Sequence, residues 1–436
     1  MRFGALPFLS GERGGYGRNF SLLLVGGALA SAIPLALSPV LTRLYSPAEM
    51  GAASLISTTI GVAAAVITGR YEIPIGFVSD DRDGAELART AFFVTLVTVL
   101  ITAIGMAVFA GPVRAWLRYD LLGAWIWLLP VGLAFQGTLQ TATLWLNRKE
   151  RFTDLVVAKA SRSLANGILS LTLGVLVFGS GGLVVGTVTG LGIAAGYSAW
   201  RMMRQLRTLG VSWQPAIPLG ATLRKYAHYP LYNASTSLLD SLSLSAPVYF
   251  LVHFFSAEEA GAFSLCLMVF GAPTVLVMES VTQASLTPFA SAIRRGEGVR
   301  TLLLSRLRGL ALVALLALVP LTLAAPQIFT AGFGARWAGA GHMAQWVAWI
   351  FAIRLLVSPF SFILNVVGWN RRLAAWKIAY FLATVSVLYF TSQLRLESFL
   401  WGLLLNELLC YTAYGILIFQ AAGPAGNTRL AGELTH

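Results

Sequence analysis

Ser46-Pro-Ala-Glu-Met-Gly-Ala-Ala-Ser-Leu55 recurs 210 positions later as Ser256-Ala-Glu-Glu-Ala-Gly-Ala-Phe-Ser-Leu265, with six of the ten positions identical. Gly61 with Gly271 and Ser31 with Ser241 extend the match in the same register. Each copy follows one apolar run, turns, and opens the next, so the chain reads as a duplicated unit. If each unit crosses a membrane an even number of times, both enter from the same side. The copies are then parallel repeats related by an axis along the membrane normal.

The rest of the chain supplies the spans. A helix needs about 20 mainly apolar residues to cross the hydrocarbon core. Twelve segments meet or approach that length: 20–41, 50–68, 91–109, 124–146, 155–178, 182–200, 231–254, 260–279, 308–329, 343–367, 374–390 and 399–419. The expected fold is therefore an all-α integral membrane protein of about 12 transmembrane helices. They form two six-helix lobes related by a pseudo-two-fold axis along the membrane normal. The expected boundaries are 1–205 for the N-terminal lobe, 206–228 for a cytoplasmic linker and 229–436 for the C-terminal lobe. Two bundles with a cavity between them suit alternating access by rocking. Gly182, Gly186 and Gly190, spaced by four, would let a neighbouring helix approach the sixth span closely, and plain packing accounts for them.

Composition excludes the main alternatives. Hydrophobic residues make up 57% of the chain and charged ones 11%, with a mean hydropathy of +0.73. A soluble domain carries about 25% charge, and no stretch here has that density over a domain's length. The net charge of +13 does not indicate nucleic acid, because the basic residues sit in small groups between apolar runs. Cys266 and Cys410 both lie within apolar runs and imply no disulfide framework. Arg2, Arg13 and Arg18 precede an apolar run containing Ala28-Leu29-Ala30, but that run continues past the match, as in an uncleaved span.

Cytoplasmic loops are enriched in Lys and Arg. With the N-terminus inside, 21 of the 31 basic residues fall on the cytoplasmic side, 5 outside and 5 within spans. The inside loops hold Arg148, Lys149 and Arg151, then Arg201, Arg204, Arg207, Arg224 and Lys225, then Arg294, Arg295 and Arg300, and Arg371 with Arg372. Trp116, Trp125, Trp337 and Trp401 fall at the outer ends and Trp145, Trp200, Trp369 and Trp376 at the inner ends, where interfacial tryptophans belong. Both termini are expected in the cytoplasm.

The stretch Pro39-Val-Leu-Thr-Arg43-Leu-Tyr-Ser-Pro47 is followed by Gly51, then by Arg70-Tyr71-Glu72 before an acidic turn and the third span. It resembles the polysaccharide-biosynthesis (O-antigen/exopolysaccharide) flippases of the multidrug/oligosaccharidyl-lipid/polysaccharide exporter superfamily. Asn147-Arg148-Lys149-Glu150-Arg151-Phe152 is similar as well. The first 180 or so residues carry the resemblance. It implies two lobes around a central cavity in the bacterial inner membrane, and transfer of undecaprenyl-pyrophosphate-linked sugar units from the inner to the outer leaflet. The partners it implies are the lipid-linked oligosaccharide, membrane lipids, and a polysaccharide polymerase and chain-length regulator. No cofactor, metal or nucleic acid is expected.

Ionisable groups deep in spans are functional candidates. Asp240, Arg354 and Glu407 lie near the middles of the seventh, tenth and twelfth spans. Lys159 and Arg162, three apart and so on one helical face, lie in the inner half of the fifth. One reading pairs Arg354 with Asp240 or Glu407 as a helix lock and lets Lys159 snorkel to the headgroups. The other has the cations Arg162, Arg354 and Lys159 face the pyrophosphate, whose oxygens suit the planar guanidinium fork. Arg43 and Arg70, at opposite ends of the first two spans, either guide the headgroup or anchor helix ends.

Enzyme signals are weak. Asp81-Arg82-Asp83 has a D-x-D pattern but no sugar-nucleotide domain around it, and acids before a helix also favour its dipole. There is no phosphate-binding glycine loop and no H-E-x-x-H, and the histidines, His228, His253, His342 and His436, are scattered. A polymerase or ligase would carry a large outer loop, which is absent from the sequence pattern. Within transport, the alternatives are a peptidoglycan-precursor flippase and a cation-coupled drug exporter, although the latter would be expected to place an acid in the first span. Cysteines placed in the 148–151 and 294–300 loops are expected to resist a membrane-impermeant thiol reagent in intact cells; ready labelling would reverse the topology.

Overall fold

The computed structural model describes residues 13–117, 122–213, 218–295 and 297–423. Arg2, Arg118, Arg429, both chain ends and the linker residues 214–217 lie outside them. Among the described residues every regular element is a helix. The first half holds α1 (Arg13–Leu44), α2 (Pro47–Ala63), α3 (Asp81–Leu117), α4 (Leu128–Arg148), α5 (Phe152–Val175) and α6 (Ser180–Thr208). A short α7 (Leu219–Lys225) follows. The second half holds α8 (Ser235–Phe250), α9 (Ala257–Arg294), α10 (Arg300–Phe333), α11 (Ala338–Val357), α12 (Phe362–Val366), α13 (Asn370–Ser392) and α14 (Leu396–Ala421). α11 and α12 make one interrupted span, broken where Pro359 cannot donate to the helix ladder.

Every expected span has its helix. Nine among the described residues are long and apolar enough to cross a membrane by length and composition. α2, α4 and α5 fall short of that measure. α2 has only 17 residues, α4 carries Gln136, Gln140 and several threonines, and α5 carries Asp154, Lys159 and Arg162. α2 stops at Ala63, short of the expected 68, and the chain then runs through turns with Gly69 and Arg70 at positive φ.

The two halves repeat one packing scheme. In the first, α1 packs on α5, α5 and α4 on α6, and α3 on α4. In the second, α8 packs on α13, α13 and α11 on α14, and α10 on α11. Each repeated segment starts its helix in the same way. The Ser46 side chain accepts from the Glu49 amide at 3.3 Å and Glu49 accepts from the Ser46 amide at 2.8 Å, a capping box. Ser256 accepts from the Glu259 amide at 3.1 Å.

These two segments also meet. α2 packs on α9, and a Cβ built on Gly51 would stand 1.8 Å from the carbonyl oxygen of Ala257. A Cβ on Gly261 would stand 1.8 Å from the carbonyl oxygen of Pro47. Positions 51 and 261, and 47 and 257, are pairs in the 210-residue register, so the contact is reciprocal, as an isologous interface about a two-fold axis requires.

Further cross-lobe bonds run from this capped end to the middle. Trp337 Nε1 donates to the Thr42 carbonyl at 2.9 Å, Arg336 donates to the Arg43 carbonyl at 3.0 Å, and the Thr59 and Tyr249 hydroxyls are 3.0 Å apart. Around them one apolar core takes Leu55, Ile56 and Ile60 from α2 together with Phe263, Leu265 and Phe270 from α9. At the opposite, basic end there are two separate cores, one around Trp145 and Met202 in the first lobe and one around Phe289 and Phe360 in the second. The lobes are thus fused at the capped end and distinct at the basic end.

The basic end of the first lobe is tied by its own ion pairs. Asp81 binds Arg148 at 2.8 Å and Lys149 at 2.6 Å, which gives this D-x-D carboxylate a helix-joining role. Asp154 is held by Arg151 at 2.8 Å, Arg201 at 2.9 Å and the Tyr197 hydroxyl at 2.9 Å. Gly51→Ala and Gly261→Ala are each expected to cost the inter-lobe contact at least the roughly 1–3 kcal/mol of an overpacked core. Spin labels at Ala48 and Glu258 should then move apart; an unchanged distance in both variants would refute the crossing.

Candidate functional site

A polar cavity of about 360 Å³ lies between the lobes. α1 contributes Ser31, Pro34 and Leu35, α5 contributes Lys159, Arg162, Ser163 and Asn166, and α9 contributes Met268 and Ala272. The α5 residues follow the i, i+3, i+4, i+7 spacing of one helical stripe. Close packing at the back of α5 aims that stripe. A Cβ on Gly190 of α6 would lie 2.6 Å from the Arg162 carbonyl, and one on Gly186 2.3 Å from Ser170 Oγ, so the glycine stripe of α6 serves packing.

Lys159 and Arg162 have no ion-pair or hydrogen-bond partner among the described residues. Lys159 Nζ lies 3.6 Å from where a Cβ of Gly27 would stand, so the ammonium rests over α1. Two unpaired cations at membrane depth are costly. With the Ser31 and Ser163 hydroxyls and the Asn166 amide, they bring two cationic and three neutral polar side chains to one cavity.

The other sequence candidates go elsewhere. Arg354 of α11 is committed to Glu407 of α14 through a two-point fork, Nε to Oε2 at 2.9 Å and Nη2 to Oε1 at 2.8 Å. Tyr380 of α13 donates to Glu407 Oε1 at 2.6 Å and accepts from Arg354 Nη2 at 3.3 Å. The reading of Arg354 as a free phosphate-binding cation is therefore corrected: its donors are engaged by a carboxylate that is fully buried, and the set locks α11, α13 and α14 together. Asp240 does not pair with Arg354; it binds Lys377 of α13. Arg43 lies at the end of α1, exposed, with its carbonyl taken by Arg336. Arg70 donates from Nε to the Ala65 carbonyl at 2.8 Å and stands 3.8 Å from Glu72, anchoring the turn after α2. Neither arginine lines the Lys159–Arg162 cavity. Among the described residues no group of three or more His, Cys, Asp or Glu side chains gathers as a metal site.

Sequence reasoning passed over Lys377 and Tyr380. Lys377 was legible as a charge within the eleventh span, but its partner is 137 positions away. Tyr380 gave no sequence signal, because a membrane tyrosine is usually apolar contact or interface anchor. Arg354→Gln or Glu407→Gln alone is expected to destabilise the detergent-solubilised protein by about 3–5 kcal/mol, with most of the loss recovered when both are replaced by apolar residues. Thermal melts of the three variants read this directly, and a double variant no better than the singles would reject the lock.

Comparison with known proteins agrees with this architecture. The sequence pattern described as polysaccharide biosynthesis protein matches residues 40–341. The chain is 22% identical over 394 residues to the succinoglycan biosynthesis transport protein ExoT of Rhizobium meliloti, covering 88% of this chain and 76% of that one. Among solved structures, the inward-facing conformation of a multidrug resistance MATE family transporter of the MOP superfamily aligns with a TM-score of 0.66 at 14% identity, covering 94% of each chain. An outward-facing MATE transporter aligns with a TM-score of 0.57 at 14% identity, covering 95% of this chain and 96% of the other. The fold is that of the MOP superfamily, and the chain belongs to the polysaccharide biosynthesis protein family.

Proposed function

We propose that this protein is a flippase that moves undecaprenyl-pyrophosphate-linked oligosaccharide from the inner to the outer leaflet of the bacterial inner membrane by alternating access. The observation that carries the reading is the Lys159–Arg162 stripe, without an ion-pair partner among the described residues, in a polar cavity walled by both lobes. A pyrophosphate supplies the oxygens that a guanidinium fork and an ammonium need, and the neighbouring Ser31, Ser163 and Asn166 suit sugar hydroxyls. A relative whose name is succinoglycan biosynthesis transport protein supports the substrate class.

With the basic end in the cytoplasm, as the Lys and Arg distribution favours, the fused capped end faces outward. The cleft between the separate basic-end cores then admits a headgroup from the inner leaflet. Rocking of one lobe against the other would close that cleft and part the Gly51–Gly261 contact at the capped end. The reading assigns no covalent chemistry to the chain. Polysaccharide polymerase and chain-length regulator are the partners expected to receive the flipped unit.

Arg162→Gln and Lys159→Gln should each lower surface glycan at least about tenfold at equal protein level, the cost of one charge-assisted hydrogen bond in the site. Arg162→Lys should retain part of the activity, because it keeps the charge and loses the fork. Full export by both Gln variants would end the headgroup reading.

A further inference from the structure

Each lobe carries a lysine at the same structural position. The turn after α4 places Glu150 at φ +52° and returns the Arg151 amide to the Leu146 carbonyl at 2.9 Å. The turn after α12 places Gly368 at φ +79° and returns the Trp369 amide to the Leu364 carbonyl at 2.8 Å. The inner bonds match too, Glu150 to Asn147 at 3.0 Å and Gly368 to Asn365 at 3.2 Å. Together they fix a register of 218 between α5 and α13, the step from Arg151 to Trp369. In that register Lys159 matches Lys377, and Arg162 matches Tyr380.

The helices beneath these lysines match as well. α5 rests on α1 and α13 on α8, in the 210-residue register that pairs Ser31 with Ser241. Lys159 lies unpaired over α1. Lys377 lies over α8 and is held there by Asp240, whose counterpart in α1 is Ala30. The pair is accessible, with side-chain exposures of 22% for Lys377 and 37% for Asp240. Tyr380, standing in Arg162's place, is bonded to Glu407 together with Arg354. The second lobe therefore repeats the first lobe's anion site with one cation replaced by a tyrosine and the other covered by a carboxylate.

We infer that Lys377 is a second anion-binding group of the transport site, masked by Asp240 in this conformation, which takes a phosphate of the pyrophosphate headgroup when the second lobe comes to face it. A single carboxylate brings one negative charge; a pyrophosphate brings more charge and more acceptor oxygens, so it displaces Asp240 once within reach. Because neither side chain of the pair is fully enclosed by the protein, the exchange does not strand a charge in a closed core. The inference rests on the headgroup reading of Lys159 and Arg162, and the test separates the two.

Inorganic pyrophosphate is titrated calorimetrically into the full-length detergent-purified protein, with melting temperature as the folding control. Asp240→Asn, or Asp240→Ala as in the first lobe, should tighten binding about tenfold, as one added charge-assisted hydrogen bond would. The gain should vanish in Asp240→Asn/Lys377→Gln. The same double variant should lower glycan export about tenfold, a loss that a purely structural pair, neutralised on both sides, does not produce. Unchanged affinity in both Asp240 variants, tightening that persists without Lys377, or normal export by the double variant would each overturn the inference. If wild type binds through Arg162 and the Asp240 variants change nothing, the headgroup reading stands and this inference falls. If wild type does not bind but Asp240→Asn does so only with Lys377 present, the reverse holds.

Discussion

The crossing of α2 and α9 at Gly51 and Gly261 is the constraint on which the rest of the arrangement depends. The backbone carbonyls of Ala257 and Pro47 occupy the places where side chains would begin, so the two helices touch main chain to main chain. Such a close approach is possible only because each helix offers a small residue at the crossing. It also fixes what the repeat must contain. Serine and glutamate start each helix where the crossing needs it, and glycine five residues after the serine supplies the approach. Three of the six identities in ten, the serine, the glutamate and the glycine, are requirements of a helix start and a two-fold crossing imposed on both copies.

From that crossing follows the unequal treatment of the two ends. A single apolar core spans both lobes around α2 and α9, while the basic end has one core per lobe. The first lobe is braced there by its own charges: Asp154 joins the start of α5 to α6, and Asp81 joins α3 to the end of α4. In the second, Arg300 donates to the Phe419 carbonyl and the Val299 amide to the Ala422 carbonyl, joining the start of α10 to the end of α14. Rigid lobes joined at one end are what a rocking mechanism needs, because movement at the crossing then becomes displacement of whole cavity walls.

Much of this was legible from sequence, and the remainder was hidden for physical reasons. The spans, the repeat and the Lys159–Arg162 stripe are local patterns, set by hydropathy, capping and the helical period. The assignment of the remaining charges is not local. Whether Arg354 is a free cation or half of a lock depends on which face of α14 turns toward α11, and Glu407 lies 53 positions away. Asp240 and Glu407 were interchangeable as partners in sequence; only the packing of α8 on α13 gives Asp240 to Lys377. Arg43 and Arg70 belong to the motif that carries the family resemblance, yet Arg43 sits at the end of α1 and Arg70 in the turn after α2, which shows that motif membership did not place a residue in the cavity.

Duplication gives the two lobes the same scaffold, and the charges then make them unlike. A symmetric pair of walls, each with a free lysine and arginine, would hold an anion from both sides and release it reluctantly. Here Lys159 and Arg162 of the first lobe have no ion-pair partner among the described residues, and the second engages Arg354 with Glu407 and Lys377 with Asp240. These two pairs differ in burial, and that difference assigns their roles. Glu407 is 1% exposed at its side chain, so separating it from Arg354 would leave a charge stranded in apolar surroundings. Asp240 is 37% exposed, so its carboxylate is not enclosed by the protein as that of Glu407 is. On the proposed headgroup reading, an anion between the lobes competes for Lys377 without unlocking α11 from α14, and the helix packing of the second wall stays intact.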